Sequence, residues 1–79
     1  MSDREQEAVE LIEFIAKAIV TEPDAVKVTA TDGGDVLELE TTNSDRGRVI
    51  GRQGRVAKAM RAVLAAASSG DDRKLDIVD

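Results

Sequence analysis

Two glycines three positions apart, Gly51 and Gly54, stand between two amphipathic segments and limit what this chain can fold into. Upstream, residues 44–50 (Ser44, Asp45, Arg46, Gly47, Arg48, Val49, Ile50) read as a short helix, with Asn43 or Ser44 placed to cap its first free N–H groups. Downstream, apolar residues recur at Val56, Met60, Val63, Leu64 and Ala67, one face of a helix of about three turns. Val63 falls on the inward face in this reading, so Val63→Asp is expected to unfold the domain. Gly51 suits the left-handed conformation that ends a helix, and Gly54 sits where the next one begins. A backbone without Cβ atoms admits close approach, and the second helix directs free N–H groups and its positive dipole end at the loop. Such a loop is a place for a phosphate.

Charge is distributed to match. Between Arg46 and Arg61 lie six basic residues (Arg46, Arg48, Arg52, Arg55, Lys58 and Arg61) and no acidic one. The rest of the chain holds five basic residues against all sixteen acidic ones. The net charge of -5 does not argue against a polyanionic ligand, because a local patch makes the electrostatic footprint. Taken singly, charges on a helix face are solvated surface and glycines merely turn the chain; their coincidence within sixteen residues is the signal.

The run Val49-Ile50-Gly51-Arg52-Gln53-Gly54-Arg55-Val56 resembles the signature loop of the KH domain, an aliphatic-Ile-Gly-x-x-Gly core followed by an aliphatic residue. The likeness covers nearly all of the 79 residues, and in size and order the chain is similar to the small bacterial single-KH RNA-binding proteins. The resemblance implies an α+β chain with the type II KH order α-β-β-α-α-β, a single domain over residues 1–79. It implies a grip on single-stranded RNA by Gly51, Arg52, Gln53 and Gly54, with Arg46, Arg48 and Arg55 supplying charge and Ile50 beside the loop. It also implies a role as a post-transcriptional regulator or RNA chaperone. Pairing, as a homodimer or with a larger KH-containing RNA-binding protein, follows from the same likeness.

Taken from the N-terminus, Ser2-Asp3-Arg4-Glu5 has capping-box spacing, and Asp3 and Glu5 suit a helix dipole. Val9, Ile12, Ala16 and Ile19 then recur at helical spacing, widened by Leu11, Ile15 and Val20. Such a stripe is core packing, with Leu11 and Phe14 as the part that could instead be an exposed partner surface. Pro23 marks the end of the run. Residues 25–31 alternate, with Val26, Val28 and Ala30 on one face. Gly33-Gly34 fits a two-residue hairpin turn, and residues 36–42 form a second strand with Leu37 and Leu39 on one face. Residues 68–72 break the pattern before a last strand over 73–78 with Leu75 and Ile77 inward.

That order predicts a three-stranded mixed sheet with helices packed on one face. The first two strands pair antiparallel, and the last returns by a right-handed two-helix crossover to run parallel to the second. The binding groove is expected between the glycine loop with its flanking helices and the second strand. Ile50 and Val56 either face inward or line its floor, which periodicity does not separate. Lys58 and Arg61 are either contacts for flanking phosphates or plain solvated surface. Asp71, Asp72, Asp76 and Asp79 around the last strand would weaken phosphate attraction within a Debye length of about 8 Å.

Composition excludes several classes. The chain has no Cys and no His, so there is no disulfide framework, no thiolate metal site and no imidazole base. No cofactor is expected, an enzyme is not expected, and no Gly-Lys-Ser/Thr phosphate loop is present. One Phe and no Trp or Tyr argue against modules that stack bases on aromatics. No signal peptide or apolar run of about 20 residues is seen, so the expectation is a cytoplasmic protein away from membranes. Two other readings stand beside RNA binding: a helix–turn–helix placing the basic second helix in a DNA groove, and an adaptor built for protein pairing. In the first, the exposed helix face of Arg55, Lys58, Ala62 and Ala65 is thin in base-reading side chains.

Overall fold

A helix, two strands, two helices and a strand follow one another in the computed structural model, which describes residues 3–67 and 73–78. Helix α1 (Asp3–Ile19) is followed by a single 3₁₀ turn at Pro23–Ala25, then strands β1 (Lys27–Thr31) and β2 (Val36–Glu40). Helices α2 (Asn43–Ile50) and α3 (Arg55–Ala67) flank a 3₁₀ turn at Arg52–Gly54, and β3 (Lys74–Val78) is the last described element. Ser2, the expected cap of α1, lies outside the described residues, as do residues 68–72.

The sheet order is β1-β2-β3, with β1 antiparallel and β3 parallel to β2, as expected from the crossover argument. The turn between β1 and β2 differs from expectation. Thr31 pairs with Val36, so the connection has four residues, and both Gly33 and Gly34 take positive φ within it. The register aligns Val28, Leu39 and Ile77 in one row and Ala30, Leu37 and Leu75 in the next, all on the face that the helices cover. Ala8, Val9, Ile12 and Ala16 of α1, Val49 of α2, and Met60 and Leu64 of α3 close over them.

In α1 Val9, Ile12 and Ala16 of the expected stripe are buried, whereas the stripe of α3 is rotated from the sequence reading. In α3 the inward residues are Ala57, Met60 and Leu64, whereas Val63 is 43% exposed. A stripe of five apolar positions is wider than the face available to it, and Ala57 takes an inner place that the stripe did not include. In α1, Phe14 stands opposite the buried face and is 74% exposed, while Leu11 is half-buried. Ile19 lies at the edge of the stripe with 36% exposure.

Among the described residues one carboxylate is buried. Asp45, in the first turn of α2, accepts from Thr21 N–H at 3.0 Å and Thr21 Oγ1 at 2.9 Å through Oδ1, and from Glu22 N–H at 3.1 Å through Oδ2. Arg48 Nε lies 3.4 Å from Oδ1. The helix cap is neither Asn43 nor Ser44 but Thr42, whose Oγ1 accepts the Asp45 N–H at 3.2 Å. Asp45 thereby ties the exit of α1 to the start of α2. The Thr21 backbone N–H, more than any other partner, holds the Asp45 carboxyl below the usual carboxylate range, against the opposing effect of its burial.

Leu64→Ala should cost about 2–5 kcal/mol, the usual cost of emptying a closed core site. Val63→Asp, contrary to the sequence expectation, should stay within about 0.5 kcal/mol as a surface change. Urea unfolding of both variants checks the pair. Because the folded pKa of Asp45 is lowered, its stabilisation is present above the unfolded carboxylate value of about 4 and is lost as pH falls through the folded value. Melting temperatures from pH 7 down to pH 2 should therefore fall less steeply with acid for Asp45→Asn than for the parent, from a lower starting point at neutral pH.

Candidate functional site

Helix α2 runs its hydrogen bonding to the end, with Gly51 N–H donating to Gly47 O at 2.8 Å. Gly51 then takes φ 78° and ψ 171°, an extended conformation of positive φ that is essentially restricted to glycine. It is not the left-handed helical cap that was expected. A Cβ at Gly51 would also lie 2.5 Å from Cγ2 of Val56, so the chain crosses the start of α3 only because nothing is there. Gln53 (φ 57°, ψ 26°) and Gly54 (φ 73°) continue with positive φ, and the space in front of Gly54 is open to beyond 4 Å. The result is a backbone loop that projects from the helix pair.

Two of the N–H groups near the loop turn inward: Gly54 donates to Gly51 O and Arg55 to Arg52 O. Arg52 and Gln53 face solvent, and Gly51 and Gly54 are half-buried. Arg55 Nη2 donates to Gln53 Oε1 at 3.3 Å, which sets that guanidinium along the loop. Arg46 Nη2 donates to Asn43 Oδ1 at 2.8 Å, and Arg48 leans on Asp45, so both stand over α2. Arg52 and Arg55 thus lie on and beside the loop, whereas Arg46 and Arg48 are engaged with the first turn of α2. Ile50 and Val56 take different places. Ile50 is 36% exposed beside the loop, whereas Val56 is half-buried and packs against the core.

The strand wall of the groove is not the expected one. β2 is the central strand, with both edges consumed by β1 and β3, and has no backbone groups left to offer. The strand beside α2 and α3 is β3, and α3 reaches it through Arg61, which donates to Leu75 O from Nε and Nη2 at 3.3 and 3.2 Å. Arg61 is thus neither plain solvated surface nor a side chain turned only to a ligand, and Lys58 is exposed. Sequence reading missed this contact, as it missed Asp45. The spacing of Arg61 from the apolar positions of α3 was visible, but the strand that would lie opposite was not. Of the acidic residues expected around the last strand, Asp76 is exposed; Asp71, Asp72 and Asp79 lie outside the described residues.

Among the described residues no group of acidic side chains is placed to hold a metal ion, and no helix is long and apolar enough to cross a membrane. Residues 9–78 match the family model described as KhpA/KhpB, KH domain. The chain is 43% identical over 75 residues to the RNA-binding protein KhpA of Borreliella burgdorferi, covering 90% of this chain and 92% of that one. It is 47% identical over 73 residues to the RNA-binding protein KhpA of Halalkalibacterium halodurans (87% and 96% covered). The corresponding protein of Clostridium perfringens is 44% identical over 68 residues (84% and 91% covered). No solved structure matches the chain significantly. The glycine loop, the mixed sheet and these matches agree, and the chain belongs to the KhpA/KhpB family of KH domains.

Proposed function

We propose that this chain is an RNA-binding protein, not an enzyme, that grips single-stranded RNA through the Gly51–Gly54 loop and the groove beside it. The observation that carries the reading is the loop itself: positive φ at Gly51, Gln53 and Gly54, open space before Gly54, the cations Arg52 and Arg55 on and beside it, and Arg46 and Arg48 on the helix that leads into it. Phosphates pass over the glycines, where no Cβ keeps them away, and the guanidinium groups supply the salt-dependent part of the affinity. Bases lie toward Ile50, whose exposed side chain offers an aliphatic contact beside the loop. The relatives named RNA-binding protein KhpA support the ligand class, and the absence of Trp and Tyr fits an aliphatic floor. The helix–turn–helix alternative loses its ground, since α2 and α3 belong to a layer packed on a sheet and to a KH family. The cellular reading is a cytoplasmic post-transcriptional regulator or RNA chaperone.

A groove that clamps about four nucleotides makes few contacts, and joining two grooves raises avidity through effective concentration. The protein therefore acts as a homodimer or beside a larger KH-containing partner. The two-member name of the family model supports pairing, and the adaptor reading merges with it. Light scattering at high concentration, with a pull-down from lysate, should find one of these assemblies; a strict monomer with no partner removes the idea.

Replacing both Arg52 and Gln53 by Asp keeps the glycines and reverses the charge at the loop. Asp tolerates the left-handed conformation that Gln53 occupies, so the melt should shift by no more than about 0.5 kcal/mol per site. Affinity for a single-stranded RNA octamer should fall at least about tenfold, since a phosphate contact is replaced by repulsion. An unchanged affinity with an unchanged melt would make the loop a mere turn. In competition at equal concentration, duplex DNA should fail to displace the RNA.

A further inference from the structure

The chain has one aromatic side chain and spends it on the surface. Phe14 is 74% exposed on α1, where it contributes nothing to the core. Leu11 and Ala18 lie one turn before and one turn after it on the same side of the helix, the first half-buried and the second exposed. Glu7 and Glu10, both exposed, stand two turns and one turn before Phe14, so the N-terminal end of this apolar face is acidic. Helix α3 carries a counterpart. Ala59, Ala62, Val63 and Ala66 are spaced as one helix face and all are exposed, Val63 by 43%. Arg55 and Lys58, also exposed, make the N-terminal end of that face basic. A lone exposed Phe would need no explanation. Two helix faces in one chain that agree in spacing and oppose each other in charge do.

Resting on the pairing reading above, we propose that the Phe14 face is covered by α3 of a second copy of this chain. Phe14 stands opposite the buried face of α1, so α3 of the same chain, which closes over the core, does not reach it. With the two helices running in the same direction, the faces match position by position. Phe14 set over Ala62 puts Leu11 over Ala59 and Ala18 over Ala66, because the separations along the two helices are equal. In that register Glu7 and Glu10 come level with Arg55 and Lys58, and Lys17 comes level with Ala65, so like charges do not meet. The small side chains of α3 let the helices approach with the ring between them, its edge toward Val63. The contact gives one surface and receives another. Each copy carries both, and mutual exchange within one pair closes the assembly as a homodimer.

Sedimentation velocity on the full chain tests the contact. The parent should self-associate as concentration rises, and less so as salt screens the exposed charges. Phe14→Ser removes the ring and should weaken association at least about tenfold, the loss expected of an aromatic anchor, with the melt unchanged because the site is exposed. Glu10→Lys and Lys58→Glu should each weaken association too, since each sets like charges against one another. An equimolar mixture of those two variants should associate again, because the base introduced on one copy meets the acid introduced on the other. Association of Phe14→Ser equal to the parent's, or a mixture no stronger than its components, overturns this face while self-pairing stands. A parent that stays monomeric removes self-pairing and this contact together. A monomeric parent that captures a protein from lysate, and loses it on Phe14→Ser, gives the face to that other protein and equally overturns the proposal.

Discussion

Gly51 has to be bare on the side that faces Val56. Its φ and ψ lie where other residues are strongly disfavoured, and a Cβ there would meet the Val56 side chain at 2.5 Å and its backbone nitrogen at 2.9 Å. Both constraints act at one position, and both concern how α2 hands over to α3. Because the chain passes so close to Val56, that residue keeps its place against the core, and the next residues are thrown outward as a loop. Gly54 has a different reason to be glycine. Nothing crowds it, and its positive φ alone excludes most side chains. The first glycine closes the fold and the second leaves the outer side of the loop open.

The placement of β2 at the centre of the sheet decides which strand presents a free edge beside the helices. A central strand spends its N–H and C=O groups on its neighbours, so only an outer strand offers main-chain polarity to a ligand. β3 is that strand on the side of α2 and α3, and the parallel crossover puts it there. The same arrangement separates charge. The basic run from Arg46 to Arg61 follows α2, the loop and α3, whereas on the far face of the sheet Glu38 and Asp76 stand side by side in register. A chain of net charge -5 thereby carries a basic run on its helix side and acidic side chains on the other face of the sheet.

Much of this was legible in the sequence because the features are local. The glycine spacing, the alternation around Leu37 and Leu39, and the charge block each announce themselves within a few residues, and element order then leaves little freedom in the topology. What was not legible depends on contacts across the fold. Val63 and Ala57 are both apolar at helical spacing, and only the packing of α3 in the whole fold decides that Ala57 goes inside. Thr42 outcompetes Asn43 and Ser44 as the cap because the chain leaves β2 in an extended conformation that brings its hydroxyl to Asp45 N–H. Arg61 looks like any exposed arginine until β3 lies beside it. Asp45 looks like a first-turn helix acid until Thr21, twenty-four residues earlier, is brought against it.

That last contact explains what the N-terminal helix contributes to the site. α2 is eight residues long, with Val49 as its buried apolar side chain and Asp45 as its buried polar one. A helix so short has little intrinsic stability, and one valine does not fix its rotation about its own axis. Asp45 supplies the missing constraint, since its two oxygens accept three N–H and O–H groups from the segment that leaves α1. A carboxylate satisfied in that way is directional where apolar packing is not, and it holds Arg48 by the same oxygen. The orientation of α2 sets where Gly51 begins and hence where the loop points. The segment after α1 is therefore part of the apparatus that aims the loop, although it contributes no residue to the loop itself.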